Sequence, residues 1–188
     1  MWEIIFTIIF LMIFLIAVGF IALSAYLIWV GDSKIEVFLK DRTPLKLEKI
    51  EDGHAEFSTE FFVANVGKRP DAMIMDAFAR HGVPQEQYDK ANLCLNLERD
   101  GFRRNDGYFE AFPFEGLKKE KLICTLHIFS EQPILQSLHE LPDVRIAVYV
   151  NYVGKEENKI KRWYFVLTKE ELNKALNEAG VYLNARIC

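Results

Sequence analysis

The N-terminal stretch is the feature that most constrains this chain. No Asp, Glu, Lys, Arg or His occurs from Ile4 to Gly31, and apolar side chains fill nearly all of these positions. An α-helix rises about 1.5 Å per residue, so about 20 apolar residues cross a hydrocarbon core about 30 Å thick. We therefore interpret residues 1–31 as a transmembrane anchor and residues 32–188 as a water-facing domain.

A secretory signal is the alternative interpretation of this stretch. Such a signal begins with basic residues and carries an apolar run of about 7–15 residues. Here no basic side chain precedes the run, and the run is much longer. A retained anchor fits better, with Trp2 at one membrane interface and Tyr26 and Trp29 at the other, because aromatic rings favour the headgroup region. Asp32 and Ser33 are expected to form a short hinge after it.

Charge predicts the location and excludes one class of partner. The formal net charge is −4, with both signs mixed along the chain, which argues against nucleic-acid binding because that depends on neutralising phosphates. Basic residues follow the anchor and none precedes it, so the charge bias favours a cytoplasmic domain on a single-pass protein of the cell membrane. The expected partners are membrane lipid and a membrane or envelope protein.

Three cysteines give neither a disulfide framework nor a metal-ligand spacing. Cys124 alternates with aliphatic residues and is expected to face the core, whereas Cys94 alternates with asparagines and is expected to face outward. A bridge between them is therefore not expected, and Cys188 ends the sequence given.

Short strands dominate the rest of the chain. About eight apolar runs are separated by turn residues, with no alternation of strands and helices, so a parallel α/β sheet is disfavoured. The pattern predicts a mainly β protein, an antiparallel sandwich, with a closed barrel as the alternative. Arg145–Val153 and Ile160–Leu167 form the clearest predicted hairpin, and Asn92–Glu98 and Tyr108–Phe114 form another.

A terminal helix is predicted after the last strand. Thr168 and Glu171 have the spacing of a capping box, apolar residues recur at helical intervals, and Gly180 is a suitable stop. The strand before it is apolar on both faces. We expect it to be covered on both sides, with Trp163 and Tyr164 packed in the core. The alternative is that Lys159, Lys161 and Arg162 bind an anionic ligand on which Trp163 and Tyr164 stack.

The stretch Glu60–Ile74 consists of an apolar strand, then Asn65-x-Gly67, then Pro70 and a second apolar strand. This pattern resembles immunoglobulin-like sandwiches of the adhesion type and the late-embryogenesis type that occur in bacterial envelope proteins. Gly67 is expected to adopt a positive φ, and Asn65 to hydrogen-bond nearby backbone. The resemblance implies an immunoglobulin-like fold with a binding or scaffolding role, and it carries over no catalytic residue.

The loop from Arg99 to Gly107 is the main candidate for binding. Arg99, Arg103 and Arg104 flank Phe102 between two glycines. Guanidinium groups bind carboxylates and phosphates, and a neighbouring ring can stack on the same ligand. The structural alternative is a solvated hairpin tip with ion pairs.

No motif for chemistry stands out elsewhere. The four histidines are not spaced as a ligand pair, and no nucleophile elbow, P-loop or dinucleotide fingerprint occurs, so we expect no cofactor, no metal site and no enzyme activity. The sequence therefore predicts a membrane-anchored binding or scaffolding module. The alternatives are a membrane-bound sensor that recognises a small anionic ligand through the Arg-rich loop, and a membrane-bound enzyme of unknown chemistry.

Overall fold

The computed structural model describes residues 2–68, 72–82, 91–102, 104, 108–114, 118–155 and 157–181. Its first element is the helix α1 (Trp2–Val30), whose 29 residues rise about 43 Å, longer than a bilayer core. Apolar side chains along α1 are exposed. The helix ends at Val30, and the next residue, Gly31, has a φ of 66° and donates its N–H to the carbonyl of Leu27. Pro70, Arg103 and Cys188 lie outside the described residues.

The first sheet contains five antiparallel strands: β1 (Ile35–Phe38), β2 (Lys46–Glu51), β3 (His54–Asn65), β5 (Asn92–Arg99) and β7 (Lys119–Phe129). Their order is β1-β3-β7-β5, and β2 pairs with the same edge of β3 as β1 does. Between β1 and β2, the N–H of Thr43 donates to the carbonyl of Glu60 at 2.8 Å and continues the pairing along that edge.

The second sheet contains four antiparallel strands in the order β6-β4-β8-β9: β4 (Ala72–His81), β6 (Phe112–Phe114), β8 (Val144–Val153) and β9 (Asn158–Leu167). The predicted hairpin of β8 and β9 is confirmed, with Val144 opposite Leu167 at one end and Val153 opposite Asn158 at the other. A short helix, α2 (Ile134–Glu140), lies in the connection from β7 to β8.

The connectivity confirms the predicted immunoglobulin-like sandwich. If β2 and β6 are set aside, the remaining strands lettered in chain order give A-B-E-D in the first sheet and C-F-G in the second. That arrangement is the one immunoglobulin constant-type domains have. With α1 before the sandwich and the helix α3 (Lys169–Glu178) after it, the predicted fold class is confirmed.

The predicted pairing of Asn92–Glu98 with Tyr108–Phe114 is wrong. β5 pairs with β7, and β6 crosses to the other sheet and pairs with β4. Phe112 and Phe114 are both buried from that position. Alternation in a sequence identifies a buried face, but it does not identify the neighbouring strand, and here burial of two phenylalanines outweighs the local pairing.

One hydrophobic core lies between the sheets. Its largest fully buried side chains come from both sheets and both short helices: Tyr152, Phe57, Phe61, Phe114, Ile35, Ile74, Leu122, Ile128, Leu138, Ile146, Leu167 and Leu172. The capping box at the start of α3 is confirmed, and Gly180 follows the helix with a φ of 75°. Arg42 ties α3 to the β1–β2 connection through bonds of 2.6 and 2.7 Å to the two Glu171 oxygens.

Candidate functional site

The Arg-rich loop is held by contacts within the domain. The Arg99 guanidinium lies 4.4 Å from the centroid of the Phe102 ring and 4.3 Å from that of Phe112, and it pairs with Glu120 at 3.2 Å. Arg104 pairs with Glu110 at 3.0 Å. Phe102 is half-exposed at the tip. Arg103 lies outside the described residues, so an anion site in this loop stays a prediction.

The three predicted interface aromatics are exposed at the two ends of α1. Trp2 is near the first end, and Tyr26 and Trp29 are near the second, with the rings of Tyr26 and Trp29 centred 6.5 Å apart. The ammonium of Lys68, from the loop after β3, lies 4.1 Å from the centroid of the Trp29 ring. The helix is long and apolar enough to cross a membrane, although a signal sequence near an N-terminus satisfies the same test.

The segment between α1 and β1 is hydrogen-bonded to the domain, so the predicted hinge at Asp32 and Ser33 is wrong. Oδ1 of Asp32 accepts from the N–H of Ser33 and the N–H of Lys155, both at 2.8 Å, and its Oδ2 pairs with the Lys159 ammonium. The hydrogen bond from Lys159 is the main cause that holds the pKa of Asp32 far below its ordinary value, against an opposing effect of burial. Ser33 is buried.

The Asn65-x-Gly67 turn holds the same segment from the other side. Oδ1 of Asn65 accepts from the N–H of Lys34 and the N–H of Gly67, both at 3.0 Å, which confirms the predicted backbone bond. Gly67 is not among the glycines with positive φ, so that expectation is wrong. Glycine is needed there because a Cβ would lie 2.6 Å from the backbone nitrogen of Lys34. The turn thus clamps the segment that follows α1.

The outer face of the second sheet is apolar, aromatic and basic. Cross-strand pairing places these outward side chains side by side on β4, β8 and β9, and we name them the aromatic–arginine face: Phe78, Arg80, Arg145, Tyr149, Ile160, Arg162, Tyr164 and Val166. Ile160 is 66% exposed, Val166 46% and Tyr164 42%. The expectation that the last strand is covered on both sides is therefore wrong for this outer face, because α3 packs against β2 instead of over β9. Trp163, on the inner face of the strand, packs against the core as predicted.

Ring stacking orders this face. The Phe78 and Tyr149 rings are 4.8 Å apart and 13° from parallel. The guanidinium of Arg145 lies 4.3 Å from the Tyr164 centroid and that of Arg162 lies 5.0 Å from it. Among the described residues, no carboxylate lies within ion-pair distance of either arginine. Three basic side chains and large rings are thus presented to solvent in a fixed arrangement.

The outer face of the first sheet carries the residues that could hold a metal ion. His54, Glu56 and His127 each place one ligand atom within 4.8 Å of the other two. A cleft of about 450 Å³ opens beside them and is lined by Gly53, Ala91, Asn92, Phe129, Ser130, Glu131 and Gln132. The sequence predicts no metal site, because its histidines are not spaced as a ligand pair. The available signal was His54-x-Glu56, which places an imidazole and a carboxylate on one face of a strand.

Neither described cysteine forms a disulfide. Cys94 is exposed and Cys124 is buried, as their alternation predicts. Burial raises the pKa of the Cys124 thiol to about 12, which keeps it protonated and unreactive at neutral pH.

No protein-family model matches the chain, and no curated protein matches it. Solved structures similar to it include the GAE domain of GGA2p from Saccharomyces cerevisiae, at 10% identity, 73% coverage of this chain, 98% coverage of that chain and a TM-score of 0.36. Another is AggA, the major subunit of aggregative adherence fimbriae type I from Escherichia coli, at 14% identity, 73% and 93% coverage and a TM-score of 0.36. Identities and TM-scores this low carry no argument about function.

Proposed function

We propose that this protein is a single-pass membrane-anchored binding module of the immunoglobulin-like envelope type. Its α1 helix crosses the bilayer, and its sandwich presents the aromatic–arginine face to a partner protein in a membrane-associated complex. Confinement to a membrane raises the effective concentration of the module for its neighbours. The charge bias favours the cytoplasmic side, and no enzyme activity is part of the proposal.

The single observation that supports binding is the exposure of the aromatic–arginine face. Soluble domains rarely leave contiguous large apolar side chains on a sheet face in water. Aromatic and arginine side chains are the types enriched at the energetic centres of protein interfaces. The rings are already stacked, so little side-chain freedom is lost on binding.

The charge on this face favours an acidic partner. Arg80, Arg145 and Arg162 lie on it, and Asp76 is the one acidic side chain among the described residues of its three strands that points outward with them. Arginine stacked on a ring can still form fork-shaped pairs with a carboxylate. We therefore expect a partner surface that combines carboxylates with apolar side chains.

The segment after α1 supports a defined presentation of the domain. The contacts of Asp32 with Lys155 and Lys159, and those of Asn65 with Lys34, join the segment after the helix to the β8–β9 hairpin and to the end of β3. A domain bound to its anchor in this way loses less orientational freedom when it docks than one on a flexible linker does.

Photo-crosslinking in native membranes tests the proposal. A photoreactive residue at Ile160, on the aromatic–arginine face, should capture one reproducible protein. The same residue at Phe62, which is 40% exposed on the outer face of the first sheet, is the matched control and should not capture it. Arg162→Glu should reduce the yield at Ile160 by at least tenfold, whereas Lys46→Glu on the first sheet should leave it unchanged.

Equal capture from both faces, or capture that Arg162→Glu does not change, would contradict the assignment of the face. The anchor is tested separately, since the chain should stay in the pellet when membranes are washed with alkaline carbonate. The side of the membrane follows from an impermeant thiol reagent on intact cells. Glu157→Cys in a Cys94→Ser background should stay unlabelled if the domain is cytoplasmic.

A further inference from the structure

We propose that His54, Glu56 and His127 form a zinc-binding site on the outer face of the first sheet. The site lies on the opposite side of the sandwich from the aromatic–arginine face, so it is independent of the proposed partner. It also lies at the end of β3 away from α1, because the 12 residues of β3 run from His54 to Asn65, which bonds the segment after α1, and span roughly 36 Å at about 3.3 Å per residue.

The strand register brings the three side chains together. His54 and Glu56 are two residues apart on β3 and so share a face, and Glu56 is the direct cross-strand partner of His127 on β7. Nε2 of His54 lies 3.4 Å from Nδ1 of His127. The same Nδ1 atom lies 3.9 Å from a carboxylate oxygen of Glu56.

These separations suit a tetrahedral zinc ion. Two nitrogens bound at about 2.0–2.1 Å to a tetrahedral centre are about 3.3–3.4 Å apart, which matches the 3.4 Å between the two imidazoles. The Glu56 oxygen lies 3.9 Å from the His127 nitrogen, about half an ångström more than a tetrahedral ion needs, and within 4.8 Å of the His54 nitrogen. The terminal torsion of a glutamate is soft, so the carboxylate can turn toward the ion. Two imidazoles and one carboxylate form a ligand set that zinc takes with water in the fourth position.

The surroundings hold the ligands in place. Phe129 stacks on His54 with ring centroids 4.5 Å apart, and the planes of the two histidines are 7° from parallel. The side chains of His127 and Glu56 are only 20% and 19% exposed. Partly shielded and stacked ligands lose little freedom when a metal binds.

Cys94 and Lys49 are the neighbouring side chains to consider for the fourth ligand position of the zinc ion. Cys94 on β5 is the cross-strand partner of His127. Because β7 lies between β5 and β3, Cys94 and the pair of His54 and Glu56 lie on opposite sides of His127. Lys49 on β2 is opposite Glu56, and its ammonium pairs with Glu51 at 2.9 Å. The fourth position is therefore assigned to water.

Zinc titration of the full chain in detergent micelles tests the site. The wild-type protein should bind one zinc ion per chain. Zinc at about 100 times its Kd should raise the Tm by roughly 5–10 °C. His54→Asn and His127→Asn should each lose the rise, and Glu56→Gln, which keeps the shape and removes the charge, should weaken binding at least tenfold.

His139→Asn is the matched control, since His139 is exposed at the end of α2, and it should bind zinc like the wild type. Cys94→Ser should do so as well, and loss of binding in that variant would overturn the water assignment. Far-UV circular dichroism without zinc checks the fold, and Glu56→Gln keeps the test decisive if a histidine variant unfolds. No binding by the wild type, or equal binding by the folded cluster variants, would overturn the proposal.

Discussion

The two outer faces of the sandwich use charge in opposite ways. On the first sheet, several basic side chains pair with nearby carboxylates, as Lys121 does with Glu60 at 3.2 Å and with Asp100 at 3.0 Å. On the second sheet, Arg145 and Arg162 lie over the ring of Tyr164 instead. Charges of the first face are thus paired within the protein. In the described part of the second face, the guanidinium groups can still bind carboxylates of another molecule.

This difference between the two faces bears on which of them is suited to bind a partner. Charge pairs on an exposed sheet contribute little to folding but keep a surface from attracting other proteins. Arginine over an aromatic ring keeps its hydrogen-bond donors while part of its stem is covered. The second face is therefore the better interaction surface, although both faces belong to sheets that share one core.

The largest expected effect is on stability, and it should come from the inner faces. Leu122→Ala removes a fully buried side chain of β7 and should lower the free energy of unfolding by about 2–5 kcal/mol. Ile160→Ala, on the exposed face of β9, should change it by less than about 0.5 kcal/mol. Urea unfolding of the full chain in detergent measures both. A comparable loss in Ile160→Ala would mean that the second face is covered within the protein.

The second effect concerns the partner. Tyr164→Ala removes the ring on which two arginines lie, and it should weaken partner binding by about 2 kcal/mol, or roughly 30-fold in Kd, as hot-spot residues do. Phe62→Ala on the first sheet is the matched control and should leave Kd unchanged. Binding is measured with the partner captured by crosslinking. An equal loss in both variants would remove the distinction between the two faces.

The third effect lies where the domain meets the anchor. Asp32→Asn removes the charge that pairs with Lys159 and should cost about 1–3 kcal/mol at pH 7. Because the folded pKa of Asp32 is lowered, its stabilising effect is present above the unfolded pKa of about 3.9 and is lost as the pH falls below it.

The difference between wild type and Asp32→Asn should therefore shrink between pH 5 and pH 2 in urea unfolding experiments. Lys174→Met is a suitable control, because Lys174 is an exposed partner of Glu178 on α3 and should show no such dependence. A gap that stays constant across this range would refute the role of the Asp32 charge.

Much of the fold could be predicted from the sequence, because alternation and capping are local. The β8–β9 hairpin, the inward thiol of Cys124 and the capping box of α3 all depend on residues close together in the chain. Contacts between residues far apart in the chain could not be predicted in this way. β6 joins the other sheet, and His127 meets His54 across 73 positions, which only the β3–β7 register decides.

The candidate site was harder to predict for the same reason. Apolar residues on both sides of β9 predicted a covered strand, but whether α3 covers it depends on how that helix packs. The composition of the Arg-rich loop predicts a binding site, yet Arg99 is paired with Glu120, which lies 21 residues away in the chain. A cluster of charged residues in the sequence does not show which distant residues of opposite charge will lie beside it in the folded protein.

The smallest expected effect distinguishes this loop from the second face. Arg99→Ala removes a guanidinium packed between two rings and paired with Glu120, and should cost about 1–2 kcal/mol of stability. Arg104→Ala should cost less than about 0.5 kcal/mol, because its pair with Glu110 is exposed. If the loop instead serves as an anion sensor, phosphate should raise the Tm of the wild type and fail to do so for Arg104→Ala. The loop would then bind a ligand through its arginines, as the second face is proposed to do, and the contrast between structural and binding arginines would fail.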